Sequence, residues 1–159
     1  MSEPRWLNAD ERRAWLALMS INTLLPAALD SQLHSAGKLS LFDYHVLAML
    51  SETESRFLPM SELAARTSAS LSRLSHVVTK LQNRGWVERR PHPGDARVTT
   101  AHLTDAGMDT IVGLAPGHVE SVRALFLDAL SNEDVADLAR IGEKIVSRLD
   151  DDHWILREG

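Results

Sequence analysis

Cysteine is absent from the 159 residues of this chain. Disulfides, thiolate metal sites, cysteine nucleophiles and thiol redox switches are therefore excluded. No apolar stretch approaches the roughly 18 residues that a membrane span needs. The opening Met1-Ser-Glu-Pro-Arg-Trp6 has no basic region leading into an apolar run, so no signal peptide is expected, and the expected location is the cytoplasm. Internal repeats and low-complexity segments are missing. Absent too are a glycine-rich phosphate loop, a zinc-binding histidine pair on one helix and a nucleophile elbow. Acids and histidines are scattered without a pairing suited to general acid-base work, so no enzyme activity, metal or cofactor is expected. At this length one domain with a sizeable core is the expectation.

A further absence is local. No Asp or Glu occurs between Glu62 and Glu88. From Arg56 to Thr100 eight basic residues face only three acids, although the chain as a whole carries a net charge of −5. A basic middle inside an acidic remainder is the footprint of one module facing phosphate while its flanks do something else.

The segments around it read as helices. Asn8-x-x-Glu11 is a capping box opening a long helix, in which Trp15, Leu18, Asn22, Leu25, Leu29 and Leu33 recur at steps of three and four, an apolar stripe with one polar interruption. Pro26 should kink that helix and Gly37 should end it. Ser40-x-x-Asp43 opens a second, shorter helix whose core face is Tyr44, Val46, Leu47 and Leu50. Arg56 to Met60 reads as a short extended connection. Ser61–Thr67 forms a two-turn helix and Thr67–Ser70 a polar turn. Leu71–Arg84 is a third helix closed by Gly85, with Leu71, Leu74, Val78 and Leu81 turned inward. Trp86–Arg90 and Arg97–Leu103 alternate as strands around a long tip, Pro91-His-Pro-Gly94-Asp95. Helix, turn, helix and hairpin together are the winged helix-turn-helix order. A helix to about Leu130, bent near Pro116-Gly117, and a last helix capped by Ser131-x-x-Asp134 follow. Their apolar stripes are left over once the central module is built, which suggests packing on a second copy of the chain.

The fold expected is mainly α with a small β-hairpin wing. Residues 38–107 would form the winged helix-turn-helix, and 1–37 with 108–159 a helical dimerisation region. Ser70 at the end of the turn and Ser72, Arg73, Ser75, His76, Thr79 and Lys80 on the third helix are the candidate DNA contacts. Small hydroxyl residues allow close approach to base edges, and Arg73 can reach a guanine through two hydrogen bonds. Asp95 and Arg97, two apart on extended chain, point the same way, so the carboxylate can orient the guanidinium at the wing tip. An Arg on a narrow ribbon suits the minor groove, with Arg89, Arg90 and His92 approaching the flanking phosphates. The alternative for the pair is a plain surface ion pair, worth little. The alternative for the module is protein–protein contact, which would call for an apolar third helix instead of a polar, basic one.

These motifs carry a specific resemblance. Met60-Ser-Glu-Leu-Ala64, Leu71-Ser-Arg-Leu-Ser-His-Val-Val78 and Leu81-Gln-Asn-Arg-Gly-Trp-Val-Glu-Arg-Arg90 resemble the multiple-antibiotic-resistance regulator (MarR) family. So do Asp95-x-Arg97 and Leu103-Thr-Asp-Ala-Gly107, in order and spacing. The resemblance implies a homodimeric regulator, usually a repressor, whose recognition helices enter successive major grooves of a pseudo-palindromic duplex operator with wings in adjacent minor grooves. It also implies release by a small aromatic or phenolic effector, bound in a cleft between the two regions. By position, Trp15, His45 and Arg56 are the candidates to line that cleft.

Overall fold

The computed structural model describes residues 1–158. Its elements are α1 (Ala9–Gly37), α2 (Leu41–Ser51), β1 (Phe57–Pro59), α3 (Met60–Arg66), α4 (Leu71–Asn83), β2 (Val87–His92), β3 (Asp95–Leu103), α5 (Asp105–Leu125) and α6 (Asn132–Leu149). Short 3-10 turns follow α5 at Leu127–Ala129 and α6 at Trp154–Arg157.

Side chains mark the helix starts. Asn8 with Glu11, Ser40 with Asp43 and Ser131 with Asp134 each form a reciprocal capping box, satisfying amide protons that a first helical turn leaves without partners. Ser70 and Thr104 cap α4 and α5 through their hydroxyls. Helix α1 runs through Pro26, and α5 through Pro116. Helix α1 ends at Gly37, and the residue that follows, Lys38, takes the left-handed conformation (φ 59°).

One hydrophobic core joins every element except α6. It gathers Leu33 from α1, Val46, Leu47 and Leu50 from α2, Leu58 from β1, Leu63 from α3, Leu74, Val78 and Leu81 from α4, Val87 from β2, Ala101 and Leu103 from β3 and Ile111 from α5. Each fully buried aliphatic of this size contributes about 1.5–3 kcal/mol by leaving water. Leu71 does not join them. It is 56% exposed at the first turn of α4, and Val77 takes its place on the inner face. The α1 stripe is likewise buried only at Leu29 and Leu33, whereas Trp15 and Leu18 stay exposed.

The sheet is three-stranded and antiparallel in the order β1-β3-β2. The stretch read as a connection supplies its third strand, Phe57 pairing with His102 and Leu58 with Ala101. Between β2 and β3 the tip is shorter than the turn chemistry suggested. His92 already pairs with Asp95, with an irregularity between Pro91 and His92, so only Pro93 and Gly94 project. At the other end of the hairpin, Thr104 joins β3 to α5. Its amide donates to the Trp86 carbonyl (3.0 Å), and its hydroxyl donates to Gly85 (2.7 Å) while accepting from Gly107 (3.0 Å). Gly107 has to be glycine here, because a Cβ would run into the carbonyl oxygen of Trp86 and the side chain of Leu103. Gly85, at φ 78°, makes the turn from α4 into the hairpin.

Candidate nucleic-acid interface

Helix α4 has three distinct sides. Leu74, Val77, Val78 and Leu81 face the core, while Ser72, Ser75, His76 and Thr79 are exposed on the opposite side. Between them runs a line of cations at Arg73, Lys80 and Arg84, spaced so that helical periodicity stacks them on one ridge. The hydroxyl side lies free of carboxylates, and its N-terminal end is the positive end of the helix dipole.

The sequence-predicted contacts do not stand equally free. Ser70 uses its Oγ to accept from the Arg73 amide (3.1 Å). The guanidinium of Arg73 lies over the Phe42 ring, 4.0 Å from its centroid. The Lys80 Nζ reaches the Asp43 carboxylate at 2.6 Å, and that carboxylate is only 1% exposed. Leaving Asp43 buried without a cation would be costly. Arg89, on β2, reaches back to α4. It donates to the Ser75 carbonyl (2.7 Å), to Ser75 Oγ (3.1 Å), to Thr79 Oγ1 (3.0 Å) and to Gln82 Oε1 (3.3 Å). Two hydroxyls of the exposed side thus fasten strand to helix, a function that the spacing of residues 75, 79 and 89 gave no means to anticipate. Arg90 pairs with Glu88.

At the wing tip the two predicted residues meet as expected from an extended strand. Arg97 donates from Nε to Asp95 Oδ1 (3.1 Å), from Nη2 to Oδ2 (3.2 Å) and from its backbone amide to Oδ1 (3.0 Å). These hydrogen bonds, from side chain and then backbone, hold the Asp95 carboxyl below its ordinary range, with a smaller contribution from His92. The Arg97 side chain is 91% exposed, so the carboxylate aims it into solvent without covering it.

Trp15, His45 and Arg56 are not brought together. Trp15 is exposed on the N-terminal half of α1, and Arg56 pairs with Asp105 at 3.1 Å. His45 alone borders a cavity, of about 270 Å³, whose wall also includes Pro26, Asp30, Phe42 and Arg73. Tyr44 of α2 packs at a tilt against His118, with ring centroids 4.2 Å apart. Burial first, and then the nearby charge of His45, lowers the affinity of His118 for a proton.

A helix-turn-helix whose second helix shows a polar, acid-free side, followed by a hairpin that presents an oriented arginine, defines a winged helix-turn-helix protein. The family model for the MarR family matches residues 39–99. A MarR family transcriptional regulator from Streptomyces coelicolor, solved in complex with DNA, is 38% identical over 94% of each chain with a TM-score of 0.89. AbsC from the same organism, also a MarR family regulator, is 39% identical over 92% of this chain and 98% of its own, with a TM-score of 0.88. The transcriptional repressor MprA of Escherichia coli is 29% identical over 107 residues, and the match spans 60% of that protein's length. The chain belongs to the MarR family.

Proposed function

We propose that the protein is a sequence-specific, double-stranded DNA-binding transcription regulator, a repressor that acts as a homodimer on a pseudo-palindromic operator in the cytoplasm, and that it has no enzymatic role. The observation that carries the reading is the pairing of two surfaces on one module. The exposed Ser72 and His76 side of α4 has the size and hydrogen-bonding capacity to meet base edges in a major groove. The Arg97 guanidinium, held out by Asp95, suits the minor groove beside it. Ser75, Thr79 and Arg89 contribute by holding that side in shape, and Ser70 and Arg73 by fixing the start of the helix. The rim of the wing adds positive potential toward phosphate, whereas Lys80 and Arg90 are paired with Asp43 and Glu88. A close relative solved on DNA supports the same use of the module.

The two-fold assembly is supported by apolar surface outside the central module. Leu16, Ile21 and Leu24 on α1, Val112, Val119 and Leu125 on α5, and Leu138, Ile141 and Ile145 on α6 are all exposed in one protomer. Residues 1–37 and 108–159 are accordingly read as the dimerisation region and 38–107 as the DNA-binding region. Small-molecule control is a second reading, favoured by the cavity beneath Arg73. An aromatic or phenolic effector seated there would meet the Phe42 ring and a guanidinium carried on the recognition helix.

Selection from a random-sequence duplex pool tests the main reading. The pure protein should enrich duplexes with two inverted half-sites about one helical turn apart. Enrichment of no sequence at low ionic strength would refute it.

A further inference from the structure

We propose that Arg84 is a positioning residue for operator recognition, one that fixes the recognition helix to the end of α1 and thereby sets the spacing between the two recognition helices of a dimer. The inference rests on the dimeric, operator-binding reading above and deepens it.

Arg84 lies in the basic central segment, where charge alone would count it as a phosphate ligand. Its side chain is committed elsewhere. Nη1 donates to the Lys38 carbonyl at 3.0 Å and Nη2 to the Gly37 carbonyl at 3.1 Å. Those carbonyls sit at the C-terminal end of a 29-residue helix, where the dipole is negative and unpaired acceptors collect. The other face of the guanidinium rests on the Trp86 ring, 3.8 Å from its centroid. A planar fork bound to two acceptors and stacked on a ring has its position fixed in three directions, which an ammonium group cannot match.

The corner it grips is itself seated. A Cβ on Gly37 would meet the Leu114 methyl groups of α5 at 3.2–3.3 Å. One turn before Arg84, Lys80 ties the same ridge of α4 to Asp43, and Asp43 closes the capping box of α2. Asp30 of α1 accepts from the Leu41 amide at 2.5 Å, joining α1 to that same helix start. The recognition helix is therefore tied to the α1–α2 corner along its length, and the exposed apolar residues of α1 belong to the surface proposed to meet the partner. A slack tie at Arg84 would let α4 shift sideways relative to its copy across the two-fold axis.

The test uses the duplex that the wild-type full chain selects, a random duplex, and versions of the operator with half-sites one base pair closer or farther. Affinities are measured across a salt series for wild type, Arg84→Ala and Arg84→Lys. With Arg84→Ala, operator affinity should fall about tenfold, the order of one lost recognition contact. Binding to random duplex and the slope of log affinity against log salt should stay at wild-type values. Discrimination between the three spacings should shrink toward parity, and Arg84→Lys should behave as Arg84→Ala does. Arg84→Lys, which keeps the charge and the aliphatic stem, carries the test if the alanine variant melts below the assay temperature. The proposal is overturned if lysine restores wild-type affinity and spacing preference, or if all three proteins bind alike. It is also overturned if the salt slope falls by about one per protomer with equal losses on both duplexes, the mark of a phosphate contact. If the wild type selects no duplex at all, the operator reading itself fails, an outcome distinct from any result with Arg84.

Discussion

The Arg89 guanidinium donates to the Ser75 carbonyl at 2.7 Å, so a residue of the wing's first strand grips the recognition helix in its middle. Ser75 Oγ, Thr79 Oγ1 and Gln82 Oε1 are further acceptors, so the same guanidinium fastens the wing to the helix at several points. Arg89→Met should therefore lower stability by about 1 kcal/mol in urea unfolding, since the bonds are solvent-exposed yet charge-assisted. An unchanged unfolding midpoint would show that the grip is not maintained in solution.

Arg97→Ala separates recognition from stability. Its side chain extends into solvent and its ion pair with Asp95 lies at the surface, where such pairs contribute about 0–1 kcal/mol. Melting temperature should stay within about a degree or two of wild type, while affinity for the selected duplex falls about tenfold. Wild-type affinity in this variant would remove the wing from the interface.

Gly107→Ala acts in the opposite sense. The added methyl has no room beside the Trp86 carbonyl and Leu103, and overpacking of this kind costs about 3 kcal/mol. Urea unfolding should register that loss, and a change under about 1 kcal/mol would contradict the tight join between the end of the hairpin and α5.

How much of this was legible beforehand depends on the range of the interaction. The capping boxes at Asn8, Ser40 and Ser131 and the Asp95–Arg97 pair are set by residues within three positions of one another, and the helix-turn-helix by apolar steps of three and four, so local spacing displays them. The inward face of α4 followed from periodicity except at Leu71, where the first turn of the helix stands clear of the core. Strand β1 stayed hidden because three residues ending in proline carry no alternation, and only β3, more than forty positions on, makes them a strand. Arg89 with Ser75 and Lys80 with Asp43 were unreadable for the same reason. Both look like cations facing phosphate until tertiary structure supplies an acceptor. Trp15, His45 and Arg56 were grouped only through the resemblance to the family, and of the three His45 borders the cavity beneath Arg73.

Acid should weaken the fold through its histidines. His118 and His102 both hold a proton less readily than ordinary histidine, in each case first because burial disfavours the charged ring. The unfolded chain takes up those protons first, so the stability involved is complete above the unfolded value near 6.5 and is lost as pH falls toward the lower folded values. Melting curves between pH 7.5 and about 5 should show a falling transition temperature, and His118→Gln should flatten the dependence. A transition temperature that rises over that interval would show the rings gaining charge on folding.

Alkylation interference with dimethyl sulfate bears most directly on the joint use of helix and wing, because the reagent marks guanine N7 in the major groove and adenine N3 in the minor groove. On the selected duplex, N7 methylation should block binding in two half-sites about one helical turn apart, and N3 methylation should block it at flanking positions. In Arg97→Ala the N3 signal should vanish while the N7 signal remains. Interference confined to one groove, or an N3 pattern indifferent to Arg97, would contradict the account.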